Sequence, residues 1–302
     1  MTMPFEPAPP ARPAPPARPT HPDLPPLPDG VTVASLRALA TSLATEAGAV
    51  IRSKRPEIVV VADTKSSDVD PVTAMDRAVE ELLVARLTQE RPEDAILGEE
   101  GDDVPGTSGL TWVVDPIDGT VNYLYGVASW SVSVAVVVGP PDPVGWTVLA
   151  GCVHDVVADR TWSAGLGEGA TVDDEPLRAV EPAPLARSLT ATGFGYAAAR
   201  RASQARVLTE VLPRVRDIRR LGSAAVDLCL LAQGSYDLYY ERGLNPWDMA
   251  AGALIATEAG ARVVGLRGAP AGNLMTVAGR GPALDELVAL LEAADADADD
   301  GA

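Results

Sequence analysis

The chain is poor in the residues that usually carry a nucleophile or a soft metal site. It has two cysteines and two histidines among 302 residues. Cys152 and Cys229 sit far apart in apolar contexts, which reads as buried free thiols in a reducing compartment and argues against a disulfide framework. His154 follows an apolar run, where a solitary imidazole packs or faces solvent, and no role is assigned to it. Long apolar runs are also missing. None reaches the length of a bilayer-spanning helix, and the N-terminus lacks the apolar centre of a secretion signal, so a cytoplasmic location is expected. Positive charge is in deficit: the formal net charge is -18, which argues against a nucleic-acid-binding surface. Lys54 and Lys65 are the only lysines beside many arginines, a bias that carries no functional meaning.

What the chain does have is acid at the ends of apolar runs. Trp112-Val113-Val114-Asp115-Pro116-Ile117-Asp118-Gly119-Thr120 reads as a buried strand that delivers two carboxylates to its own end. Pro116 cannot donate to a ladder, and Gly119 permits a turn closed to other residues. Two aspartates, a free carbonyl at Ile117 and a hydroxyl at Thr120 then crowd one turn. Adjacent carboxylates repel unless a cation lies between them, and an oxygen-only donor set suits a hard ion such as Mg²⁺. Asp, Pro and Gly are also the makings of an ordinary turn, so the pattern needs company. A second short strand, Ala95-Ile96-Leu97, runs into Gly98-Glu99-Glu100-Gly101, and Trp247-Asp248 lies where a helix begins. Asp248 would suit the first turn of any helix. Taken together, the three acidic ends read as one cation pocket assembled in space.

Residues 1–29 are rich in Pro, Ala and Arg and cannot bury enough apolar surface to offset their ordering entropy, so a disordered leader is expected. Residues 294–302 are expected to form an acidic disordered tail. Between them, a 47% hydrophobic composition provides ample core. Leu36, Leu39, Leu43, Ala47 and Val50 recur at helical spacing, and Ile58–Val61 reads as a short strand. The polar stretch Lys65–Asp76 opens a second helix whose apolar face is Met75, Val79, Leu82, Leu83 and Leu87. There Thr73 and Asp76 read as cap and first-turn acid, which leaves Asp70 to point elsewhere. Apolar runs at 130–138, 146–153 and 160–164, split by Gly and Pro clusters, read as an antiparallel meander within an N-terminal half, 30–184. Beyond Glu181-Pro182-Ala183-Pro184, strands and helices alternate over 185–293, which predicts a more parallel α/β layer. Gly222-Ser223-Ala224 begins one helix, whose free amides suit anions or hydroxyls, and Glu241 ends a strand.

These stretches, in this order and approximate spacing, resemble the inositol monophosphatase family of Mg²⁺-dependent, lithium-sensitive phosphatases related to fructose-1,6-bisphosphatase. The resemblance covers residues 31 to 290, and Asp-Pro-Ile-Asp-Gly-Thr with the late Trp-Asp is its most specific part. It implies an α+β fold, a layered αβαβα sandwich with the site between two halves, and a homodimer. It also implies two to three Mg²⁺ ions. Glu99, Asp115 and the Ile117 carbonyl match the ligands of one metal; Asp115, Asp118 and Asp248 match those of a second. A third, weaker ion would lean on Glu99, and Glu100 supports this shell. Asp70 and Thr120 match the pair that polarises the attacking water, making Asp70, Thr120 and Glu99 the catalytic set. The amides of Gly119 and Thr120 would face the phosphate, while Asp118, Ser223, Ala224 and Glu241 match contacts to polyol hydroxyls. Lys65 matches a family lysine near the site.

The expected substrate is a phosphate monoester of a small polyol, inositol 1-phosphate foremost, cut by direct in-line attack of water. Glu241 accepts hydrogen bonds from hydroxyls and would repel a second phosphate, and Ile117 with Val121-Asn122 departs from the nucleotide-phosphatase pattern. Histidinol phosphate remains an alternative, since Glu241 could hold its amine. So does fructose 1,6-bisphosphate, given Arg242 beside Glu241. A regulatory partner role without catalysis is the non-enzymatic alternative. A descendant of that kind is expected to lose at least one metal ligand, and none is lost here.

Overall fold

The computed structural model describes residues 27–64, 71–177 and 180–298. Most of the expected leader, the site candidates Lys65 and Asp70, and the last four residues lie outside the described residues. In chain order, α1 (Val33–Lys54) precedes the paired strands β1 (Val61–Thr64) and β2 (Pro71–Thr73), then α2 (Ala74–Glu90), β3 (Ala95–Gly98), β4 (Leu110–Asp118) and α3 (Thr120–Tyr125). The meander follows as β5 (Ser131–Val138), β6 (Thr147–Asp155), β7 (Arg160–Gly165), β8 (Gly169–Val172) and β9 (Glu175–Pro176). After it come β10 (Leu189–Thr192), α4 (Ala198–Val211), β11 (Asp217–Arg219), α5 (Ala224–Gln233), β12 (Leu238–Glu241), α6 (Pro246–Glu258), β13 (Arg262–Val264), β14 (Thr276–Gly279) and α7 (Gly281–Ala293).

These elements stack as an αβαβα sandwich. Helices α1 and α2 cover one face of a seven-stranded sheet, β3-β4-β5-β6-β7-β8-β9. Helices α5 and α6 fill the middle, and a five-stranded sheet, β11-β10-β12-β14-β13, follows. Residues of α4 and α7 pack on its far side. The side-chain period of two explains why β4 reads as one apolar run. Trp112 and Val114 join the cluster under α1 and α2, whereas Val113 joins the cluster under α5 and α6. The indole of Trp112 is fully buried and donates its N–H to Asp94 Oδ2 at 2.9 Å. Cys152 and Cys229 are buried free thiols.

The meander is antiparallel throughout, from β4 to β9. The second sheet is more parallel than the first, as the alternation of strands and helices predicts, but it is mixed. Strand β10 is parallel to β11 and β12, but β14 is antiparallel to both β12 and β13. No helix separates β13 from β14, and a strand returning without a crossover helix pairs antiparallel. The strand expected at Ile58–Val61 lies further on, at Val61–Thr64. Ile58 and Val60 stay exposed, and pairing with β2 rather than β-propensity sets the position. Residues 294–298, expected as part of an acidic disordered tail, are described, and several of them make contacts. Ala296 is buried among α7 and neighbouring residues, and Asp295 and Asp297 pair with Arg267.

Candidate active site

Parallel pairing of β3 with β4 builds the first half of the site. Gly98 lies beside Val114, so Glu99, the first residue past β3, follows next to Asp115 of β4. Asp115 shares a face with Val113, the face that α6 covers, and α6 carries Asp248 in its first turn. Oxygens of Glu99, Asp115 and Asp248 consequently lie within 4.8 Å of one another. Beyond Asp115 the ladder to β5 breaks and resumes at Asp118, because Pro116 has no N–H to give. Asp115 Oδ1 accepts from the Ile117 amide at 3.0 Å, closing the turn. Gly119 is obligatory there on two counts. Its φ is +100°, and a Cβ would sit 3.0 Å from Ser129 O and 3.1 Å from Gly222 O.

The four acids expected as metal ligands line one cavity of about 510 Å³, together with Ile117, Gly119, Thr120, Ala224 and Glu241. They are not equivalent. Asp118 stands beside the other three and is held by the start of α5, where Ser223 Oγ donates to Asp118 Oδ2 at 2.5 Å and the Ala225 amide donates at 2.8 Å. Ser223 is itself buried, so it touches Asp118 rather than lining the cavity. Asp248 also caps α6, with its Oδ2 accepting from the Asn245 amide at 2.7 Å.

Burial and crowding shift these groups the same way. Burial pushes Asp115 well above the carboxylate range, and the charges of Glu99, Asp118 and Asp248 push it further. Asp248 rises by burial and then by Glu99 and Asp118. Asp118 rises to about 6 by burial, opposed by its Ser223 and Ala225 donors. Carboxylates that repel one another away from water are an all-oxygen donor set in want of positive charge. A hard divalent cation fits such a set: Glu99, Asp115 and Asp248 could hold it, and Asp118 and Ile117 line the same cavity.

Among the described residues, the carboxylate that meets Thr120 is that of Asp76. Thr120 Oγ1 lies 3.1 Å from Asp76 Oδ1 and 3.1 Å from the Ile117 carbonyl. Asp70, expected beside Thr120, lies outside the described residues, and Asp76, read from the sequence as a cap, meets Thr120 as well. Asp76 does cap α2, with its Oδ2 accepting from the Thr73 amide at 2.9 Å and from the Thr73 hydroxyl. Its other oxygen, Oδ1, accepts from Thr120. A sequence signal for this existed. Asp76 falls in phase with Val79, Leu83 and Leu87 on the buried face of α2, where an ordinary capping acid would face water.

At the other end of the cavity, Glu241 Oε2 accepts from Tyr239 Oη at 2.7 Å. Burial raises Glu241 to about 7, with Tyr239 opposing and Asp118 reinforcing. Any side chain at Gly193 would collide with its carboxylate.

With this geometry in place, comparison with known proteins is decisive. The model of the inositol monophosphatase family matches residues 32–295. The chain belongs to that family. This inositol monophosphatase family member is 47% identical over 279 residues to inositol-1-monophosphatase SuhB of Mycobacterium tuberculosis, covering 86% of this chain and 94% of that one. The solved structure of Mycobacterium tuberculosis SuhB superposes with a TM-score of 0.72 at 44% identity, covering 87% of this chain and 97% of that one. Nus factor SuhB of Pasteurella multocida is 35% identical over 232 residues, covering 76% of this chain and 85% of that protein. The family member is a phosphoric monoester hydrolase.

Proposed function

We propose that the protein hydrolyses the phosphate monoester of a small polyol, with inositol 1-phosphate as the preferred substrate, in a reaction that requires Mg²⁺. The observation that carries this reading is the convergence of Glu99, Asp115 and Asp248 beside a hydrogen-bonded Thr120–Asp76 pair, in a cavity that also holds the hydroxyl acceptor Glu241. Two to three Mg²⁺ ions held by Glu99, Asp115, Asp118, Asp248 and the Ile117 carbonyl would neutralise the phosphate dianion and acidify water.

The chain's own groups do the rest. With Asp76 Oδ1 as acceptor for the Thr120 proton, a lone pair of Thr120 Oγ1 is left to receive a hydrogen bond from the attacking water. That bond orients the water and draws its proton toward Asp76. The amides of Gly119 and Thr120 are assigned to phosphate oxygens, and Asp118, Ala224 and Glu241 to the polyol, with Ser223 acting through Asp118. No cysteine or histidine lines the cavity among the described residues, in keeping with direct attack by water and no phosphoenzyme.

The name of the Mycobacterium tuberculosis relative supports inositol 1-phosphate. The name of the Pasteurella multocida relative points to a regulatory role. A complete acidic set and a net charge of -18 favour catalysis without direct nucleic-acid contact. We also assign a homodimer, inhibition by Li⁺ and a cytoplasmic location; among the described residues no helix is long and apolar enough to cross a membrane. Phosphate release from inositol 1-phosphate, histidinol phosphate, fructose 1,6-bisphosphate and a 3′-phosphonucleotide, with Mg²⁺ or with EDTA, tests the reading. The expected outcome is Mg²⁺-dependent release, fastest from inositol 1-phosphate. Faster turnover of another ester would replace the substrate, and release undiminished by EDTA would remove the metal.

A further inference from the structure

We propose that Glu80 is a positioning residue that sets the Glu99 loop for metal binding. Glu80 is 5% exposed on α2, one turn after Asp76. No cation pairs with it among the described residues. Its carboxylate instead accepts from the backbone of the Glu99 loop. The Glu100 amide donates to Glu80 Oε2 at 2.8 Å, and the neighbouring amides of Glu99 and Gly101 favour the charged form of the same group. Those amides belong to the segment that carries Glu99 to Asp115 and Asp248, so Glu80 fixes the backbone from which that ligand projects.

The glycines on either side point the same way. A Cβ at Gly98 would lie 2.6 Å from Glu80 Cδ, and one at Gly101 would lie 2.8 Å from Glu80 Oε1. Neither glycine has a positive φ, so no turn demands glycine at either position. They clear room for the Glu80 carboxylate. One buried face of α2 thus carries two carboxylates, four residues apart. Asp76 holds Thr120, and Glu80 holds the segment that bears Glu99. Helix α2 sets the distance between the water-orienting hydroxyl and this ligand.

The inference rests on Glu99 being a metal ligand, and its test separates the two claims. Mg²⁺ binding to the metal-free protein is measured by calorimetry for wild type and four variants. Asp115→Asn tests the metal site itself and should lose binding. Glu80→Gln keeps the size but turns an NH₂ toward the amides, and should weaken binding about tenfold. Its kcat at saturating Mg²⁺ should stay within about threefold of wild type. Gly101→Ala, whose Cβ would meet only Glu80 among the described residues, should weaken binding in the same direction. Glu81→Ala, exposed on the same helix, should change nothing. If Asp115→Asn loses the metal while folded Glu80→Gln and Gly101→Ala bind within twofold of wild type, Glu80 is structural and the inference is overturned. If Asp115→Asn binds normally, the metal assignment fails instead. Hydrogen exchange on the metal-free wild type needs no folded variant: slow exchange at the Glu100 amide is expected, and exchange at the rate of open chain overturns the inference.

Discussion

Thr120 has one proton and two acceptors within reach, Asp76 Oδ1 and the Ile117 carbonyl. Only the carboxylate can also take up the proton that the water gives away, so on the proposed mechanism Asp76 matters more to turnover than to metal binding. Asp76→Asn should lower kcat by about a hundredfold or more, the scale of a lost general base. Its Mg²⁺ affinity should change little. Thr120→Ala should behave alike. Steady-state kinetics across a Mg²⁺ series checks both variants, and a loss confined to metal affinity would remove Thr120 and Asp76 from the water-orienting role. The stability cost should be larger for Asp76→Asn, because the Asp76 carboxylate also accepts the Thr73 amide at the start of α2.

At the scale of elements, the site depends on how closely α6 rides on the large sheet. A Cβ at Gly151 of β6 would lie 2.8 Å from Ala251 Cα, so these two small residues set the approach of helix to strand. That approach brings the first turn of α6, with Asp248, to the end of β4. Gly151→Val should destabilise the fold by about 2 kcal/mol through overpacking. Because the displaced helix carries a ligand, the same variant should also need more Mg²⁺ for half-maximal activity. Urea unfolding and a Mg²⁺ activation curve measure the two effects. Unchanged stability would mean that the layers have slack at this point.

For the molecule as a whole, the buried acids link stability to pH and metal. In the metal-free protein Asp118 titrates at about 6 and Glu241 at about 7, above their ordinary 3.8 and 4.5, chiefly because burial disfavours the charged forms. A raised carboxylate stabilises the fold fully below its unfolded pKa, and that contribution is lost as pH climbs through the folded value. The window runs from about 4 to about 7. With EDTA present, the melting temperature should fall between pH 5 and pH 8. Added Mg²⁺ should raise it, and more at pH 8 than at pH 5, because the ion needs deprotonated ligands. Differential scanning calorimetry reads both; a Mg²⁺ effect equal at the two pH values would mean that these acids do not take part.

Local pattern alone determined most of the elements and the central turn. The apolar run of β4, the proline that breaks its ladder and the glycine after Asp118 are each decided by covalent geometry and side-chain period, which need no distant partner. Family resemblance, carried by Asp115 to Thr120 and by Trp247-Asp248, then named the acids. Tertiary structure decided what local pattern leaves open. The registration of β1 came from its partner β2, and the direction of β14 from the absence of a crossover helix before it. The turn of Asp118 toward α5 and the pairing of Thr120 with Asp76 came from packing between layers. The physical reason is that a hydrogen bond to a helix cap and one to a residue 44 positions away look alike in sequence, and only the approach of α2 to the end of β4 tells them apart.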